Sequence, residues 1–156
     1  MKAFLDSRSV LVPLPRSGFM QPGAHWPAHR ICECLRAEGF GAGVENLLRR
    51  IVPLRSSATS ELGHRPTLHE KYDSLGVEGL IATEPSSIVI VDDQITKGYD
   101  MFAAALRLSE SFPQAAVRGF GMALTKGFVE DVASVLEPCV GRINRRADWE
   151  VQRDPW

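Results

Sequence analysis

The sequence predicts an α/β fold: an open, mainly parallel sheet with helices on both faces and a small C-terminal hood or tail. Three observations carry that expectation. Ser87-Ile88-Val89-Ile90-Val91 is a continuous apolar run without polar alternation, as a central parallel strand covered on both faces requires. Apolar runs of strand length alternate with segments of helical spacing, in the order strand, helix, strand, loop, strand, helix, strand. At 156 residues, 44% hydrophobic and 24% charged, the chain suits one domain (1–156) with a real core.

The elements follow in order. Ser9-Val10-Leu11-Val12-Pro13 is a short apolar run closed by proline, a buried strand that opens into a loop over residues 14–23. Pro27 suits a first helical turn, and Ile31, Cys32, Cys34 and Leu35 carry a helix that Gly39 and Gly41 stop. Residues 44–52 are apolar enough for a second strand. Residues 53–76 are polar, rich in Ser, Arg and His, and read as one long irregular segment of the functional or mobile kind. After the strand at 87–91, Gly98 leads into an Ala- and Leu-rich helix over 101–108, ended before Pro113, and a further strand spans 117–124. Residues 126–156 read as a hood or tail, with a short helix at 129–136 and an Arg-rich, strand-forming end.

Composition excludes several functions. Lys and Arg total 18 against 19 Asp and Glu, so the chain has no global field for nucleic acid or an anionic membrane. Its apolar stretches are far shorter than a bilayer span, and Lys2, Asp6 and Arg8 interrupt any signal-peptide core; the expected location is cytoplasmic. Cys32, Cys34 and Cys139 are too few for a disulfide scaffold and read as small buried hydrophobes. Fourteen of the 18 basic residues are Arg, the side chain suited to bidentate phosphate contacts.

Ligands of open parallel sheets bind at the carboxyl ends of the strands, which directs attention to the residues after Val91 and after Val12. Asp92-Asp93-Gln94-Ile95-Thr96-Lys97-Gly98 places two carboxylates at a strand end, then a turn with Thr and Gly, then a helix start. The backbone N–H groups of such a turn and helix N-terminus suit a phosphate, and Gly permits close approach. Paired carboxylates accept hydrogen bonds from two sugar hydroxyls and help place Mg²⁺.

At these residues the sequence resembles the type I phosphoribosyltransferases, whose signature is four apolar residues, two acidic residues and a turn carrying Thr and Gly. Ile88-Val89-Ile90-Val91-Asp92-Asp93-Gln94-Ile95-Thr96-Lys97-Gly98 matches it position by position. Val12-Pro13-Leu14-Pro15 and Leu47-Leu48-Arg49-Arg50 look like the competence-protein F branch. The resemblance implies a Mg²⁺-dependent glycosyltransferase of nucleotide metabolism. It would transfer the phosphoribosyl group of phosphoribosyl pyrophosphate to, or a nucleoside monophosphate's from, an unidentified nitrogenous acceptor, and a homodimer is open to it. Asp92 and Asp93 would contact the ribose hydroxyls and Mg²⁺. Gln94, Ile95, Thr96, Lys97, Gly98 and Tyr99 would hold the 5′-phosphate. Pro13, Leu14, Pro15, Arg16 and Ser17 would meet the pyrophosphate. A closing loop over 53–76 would bring Arg65, His69 and Lys71 over the leaving group, with Arg65 and Lys71 acting in catalysis.

Two positions depart from the pattern: Lys97 replaces a small or hydroxyl residue, and Asp100 replaces a Thr. A carboxylate beside a dianionic phosphate repels it, so Asp100→Thr is expected from sequence to tighten binding about tenfold, while Asp100 also suits the cap or first turn of a helix, where the dipole favours it. The rival class is a non-catalytic regulatory or binding module that keeps the fold and the ribose-phosphate site. A receiver-type signalling domain fits less well, because no Asp lies between Asp6 and Asp73 to accept a phosphoryl group. His25, His29 and Cys32 fall at i, i+4 and i+7 and would form a zinc face only if the helix extended back past Pro27. Arg49, Arg50, Arg142, Arg145 and Arg146 read as solvated surface.

Overall fold

The computed structural model describes residues 5–21, 23–55, 65–79, 84–127 and 137–154. Its main sheet has four parallel strands in the order β2-β1-β5-β6: β1 (Val10–Pro13), β2 (Gly43–Val44), β5 (Ser87–Ile95) and β6 (Ala116–Leu124). Helices α1 (Pro27–Ala37) and α3 (Tyr99–Ser111) make the crossovers. The α/β class and the parallel sheet therefore stand as the sequence predicts.

Alternation along β1 and β5 sets the two layers. Leu11, Val89 and Val91 pack with Cys32 of α1 on one face, while Val12, Ile88 and Ile90 pack with Met101, Ala104 and Leu108 of α3 on the other. All of these except Met101, at 4%, have no exposed surface, which explains why β5 reads as unbroken apolar sequence. Gly41 closes the α1-to-β2 connection with φ +103°, and a Cβ there would lie 2.7 Å from the Leu11 side chain, so only glycine fits.

Three details differ from the sequence expectation, and the strand-forming end expected of the tail is present. β5 does not stop at Val91 but continues to Ile95, because β6 keeps pairing with it (Asp92 with Gly121, Gln94 with Ala123) after β1 has ended opposite Val91. The acidic pair thus lies within the strand, beyond the point where β1 leaves. The expected strand over 44–52 is two strands in two sheets: Glu45 and Asn46 turn the chain away after β2, and β3 (Leu48–Arg50) pairs antiparallel with β4 (Leu75–Val77). The segment 53–76 is not wholly irregular, since it contains α2 (Leu68–Asp73) and leads into β4. The tail forms an antiparallel hairpin, β7 (Arg142–Arg145) with β8 (Val151–Asp154). The helix expected at 129–136 and much of the expected mobile loop, at 56–64, lie outside the described residues.

Helix α2 carries a signal readable in the sequence. Thr67 accepts a hydrogen bond from the Glu70 backbone N–H at 3.2 Å, and Glu70 accepts one from the Thr67 N–H at 2.7 Å. The Thr-x-x-Glu pattern is a capping box, which satisfies two N–H groups that a helix start otherwise leaves unpaired. No helix among the described residues is long and apolar enough to cross a membrane.

Candidate functional site

The chain leaves β1 through α1 to β2 on one side, whereas β5 pairs β1 on its other side and continues through α3 to β6. The carboxyl ends of β1 and β5 consequently flank the point where strand order reverses, the crevice where open α/β sheets take ligands. Three segments meet there: the loop after β1, the acidic end of β5, and the turn into α3.

The loop after β1 is anchored by its backbone. The Leu14 N–H donates to the Val91 carbonyl at 2.8 Å, the Trp26 indole donates to the Leu14 carbonyl at 2.8 Å, and the Leu54 N–H donates to the Ser17 carbonyl at 2.8 Å. Pro13, Leu14 and Pro15 are buried, whereas Ser17 is half-buried and Arg16 is exposed and donates from Nη1 to the His25 carbonyl at 3.2 Å.

On β5, Asp92 is half-buried and Asp93 exposed, and the Asp93 N–H donates to Asp92 Oδ1 at 2.9 Å. Burial pushes the Asp92 carboxyl up to about 8, helped by hydrogen bonding and charge from Asp93 and by the charge of Asp100. Because this folded value exceeds the ordinary one of 3.8, Asp92 opposes folding increasingly as pH rises from about 4 to about 8 and by a constant amount above that. Asp92→Asn is accordingly expected to stabilise the protein by about 1 to 2 kcal/mol, a few degrees in Tm, at pH 8.5 and hardly at all at pH 4.5. Calorimetric melting at both pH values measures this; an equal gain at both would mean that Asp92 carries no such burden.

The turn after β5 exposes Thr96 and Lys97 and buries Gly98. Gly98 caps α3 with φ +89° and provides no side-chain cap; a Cβ on it would meet Ile143 Cδ1 at 2.9 Å. Gln94 donates from its side chain to Thr125 Oγ1 at 2.9 Å, which ties the ends of β5 and β6 together and engages that side chain within the sheet. Ile95 packs against the core, so neither Gln94 nor Ile95 presents a free side chain to the turn. Tyr99 donates its hydroxyl hydrogen to Glu150 of the hairpin, and Arg153 donates to the Thr125 carbonyl at 3.0 Å. The hairpin β7–β8 therefore sits over the carboxyl ends of β5 and β6.

Asp100 and Lys71 lie furthest from the sequence expectation. Asp100 does not face the turn as an unmatched carboxylate: Arg50 donates to its Oδ1 at 2.9 Å and the Lys71 ammonium donates to its Oδ2. Lys71 is 5% exposed and bound to Asp100, so it is not a cation carried on a mobile loop. Arg50, expected on the surface, is 5% exposed, and also donates to the Arg16 carbonyl at 3.0 Å and to Ser74 Oγ. Strand alternation separates the two arginines: in β3, Leu48 and Arg50 point inward and Arg49 outward, where it pairs with Glu78. Arg65 and His69 are exposed; His69 Nε2 lies 3.3 Å from Asp73 and its ring meets Trp149 of the hairpin edge-on at 5.8 Å between centroids.

The zinc face does not form. α1 starts at Pro27, and Cys32 is buried between the helix and the sheet with its thiol pushed up to about 12 by burial, whereas His25 and His29 line an open cleft with Trp26, Arg30 and Asn46. Cys34 and Cys139 are exposed rather than buried. Among the described residues no group of three or more His, Cys, Asp or Glu side chains is placed to hold a metal. Asp92 and Asp93 offer hard oxygen donors that fit Mg²⁺ when water and substrate oxygens complete its shell.

The fold and this crevice define an α/β protein with an all-parallel four-stranded sheet and an acidic strand end beside a glycine turn. No protein-family model, curated protein or solved structure matches the chain.

Proposed function

We propose that the protein binds phosphoribosyl pyrophosphate with Mg²⁺ and transfers its phosphoribosyl group to a nitrogenous acceptor. The observation that carries this reading is the run from the half-buried Asp92 and exposed Asp93 directly into the Thr96-Lys97-Gly98 turn and the α3 N-terminus, beside the loop after β1. In this reading the Asp92 and Asp93 carboxylates accept hydrogen bonds from the two ribose hydroxyls. The N–H groups at the start of α3 and the Lys97 ammonium meet the 5′-phosphate. Arg16 and the loop backbone orient the pyrophosphate. Asp92 and Asp93 would also help hold Mg²⁺, which when bound offsets charge on the pyrophosphate. The bond from sugar C1 to the pyrophosphate oxygen breaks with its electron pair leaving on pyrophosphate as the acceptor nitrogen's lone pair bonds to C1, any proton on that nitrogen passes to solvent, and no covalent enzyme intermediate is needed. In this reading the hairpin β7–β8 contacts the acceptor.

The second reading, a binding or regulatory module without turnover, is favoured by one feature: Lys71, a cation expected over the leaving group, is buried on Asp100. Titration calorimetry with phosphoribosyl pyrophosphate is expected to show Mg²⁺-dependent binding that releases a proton below pH 8, since Asp92 must ionise to bind. Heat signals compared across buffers of different ionisation enthalpy count that proton. Absence of binding with Mg²⁺ present would overturn both readings. Binding without pyrophosphate release across a panel of bases and amines would select the module.

A further inference from the structure

The Arg50 guanidinium joins two parts of the crevice that are remote in sequence. Its Nε donates to the Arg16 carbonyl at 3.0 Å, in the loop after β1, and one terminal nitrogen donates to Asp100 Oδ1 at 2.9 Å, in the first turn of α3. The other terminal nitrogen donates to Ser74 Oγ at the end of α2. The side chain is 1% exposed, so Arg50 is shielded from direct ligand contact. A buried charge of this kind is weak ground for stability on its own, because desolvation offsets much of the attraction. Its geometry has a clearer consequence: a planar fork with fixed donor directions sets the distance between the groups it holds, which a lysine ammonium cannot do.

We propose that Arg50 is a positioning residue that fixes the loop after β1 relative to the phosphate turn, so that one ligand spans both. The inference rests on the reading of the crevice as a phosphoribosyl pyrophosphate site. The loop would take the pyrophosphate end and the turn the 5′-phosphate end. A ligand with both groups gains affinity from two subsites held at the right separation, whereas a ligand that occupies one subsite is indifferent to that separation. Arg50 therefore acts on the spanning ligand and not on its fragments. Charge alone does not reproduce the effect, since Arg50→Lys keeps the charge and loses the fork.

The test titrates wild type and Arg50→Lys, each with Mg²⁺, with phosphoribosyl pyrophosphate, ribose 5-phosphate and inorganic pyrophosphate separately. Arg50→Lys is expected to weaken phosphoribosyl pyrophosphate at least tenfold while each fragment stays within about twofold of wild type. Asp100→Glu, which keeps every charge but moves the carboxylate by one methylene, is the second variant if Arg50→Lys does not fold, and gives the same selective loss. Ser74→Ala removes one Arg50 partner that belongs to neither subsite; it lowers the melting temperature and leaves all three affinities unchanged. Wild type that binds the fragments and the spanning ligand, with variants that bind all three as wild type does or lose all three in parallel, would overturn the positioning role alone. Wild type that binds none of them would overturn the site reading beneath it.

Discussion

Asp92→Asn combined with Asp93→Asn abolishes binding of Mg²⁺–phosphoribosyl pyrophosphate and leaves the far-ultraviolet circular dichroism unchanged. Both side chains lie on β5 beyond Val91, the last residue opposite β1, and Asp93 is exposed. The strand's buried part, Ser87 to Val91, is untouched by the change. An amide of the same shape still accepts the Asp93 backbone N–H at the Asp92 oxygen, a bond of 2.9 Å. What disappears is the charge of Asp93 and the charge that Asp92 takes on as the ligand binds. A hydrogen bond to a charged group contributes about 1.5–3 kcal/mol, so losing two charged acceptors costs about 3 kcal/mol or more, over a hundredfold in affinity. Neutralising Asp92 also relieves its burial cost at neutral pH, so the double variant is expected to melt no lower than wild type. Calorimetric titration and a thermal melt on the same sample check both halves. Retained wild-type affinity would remove Asp92 and Asp93 from the site.

Asp100→Thr has the opposite profile: it lowers stability by about 3 kcal/mol, a fall in Tm of roughly 6–12 °C for a chain of this size. The carboxylate holds two cations whose side chains are 1% and 7% exposed, and Thr would take from both the carboxylate they share. Asp100 itself is one-third exposed, so water reaches one side of the cluster and keeps the loss at the lower end of the range for buried pairs. From sequence the same substitution is expected to tighten ligand binding by relieving repulsion. The ion pairs reverse the emphasis, because the negative charge is already matched by Arg50 and Lys71. Denaturant unfolding of Asp100→Thr measures the change; a loss below about 1 kcal/mol would show that the cluster carries little of the fold.

The local features of this protein follow from its sequence. Ser87 to Val91 can only be a strand buried on both faces, Pro27 and the glycines at 39 and 41 bound α1, and a glycine after Lys97 starts α3 with positive φ. These depend on side-chain bulk, backbone freedom and spacing between near neighbours, all written along the chain. The acidic pair and the turn after it are likewise consecutive residues, so the candidate site is legible where it is local. Residues 44–52 are apolar, but an apolar run does not say which strand will pair with it. Long-range pairing sends Gly43 and Val44 to β1 and Leu48 to Arg50 to β4, in separate sheets. The partners of Arg50 and Lys71 belong to the same class of question. Nothing in Leu47-Leu48-Arg49-Arg50 distinguishes the inward arginine from the outward one until β3 finds its register with β4. Nothing near Asp100 announces two cations that are 50 and 29 residues away. Tertiary structure alone decided that the carboxylate is matched, because the enclosure that makes such a charge costly, and the cations that offset the cost, exist only once β3, α2 and α3 have packed together.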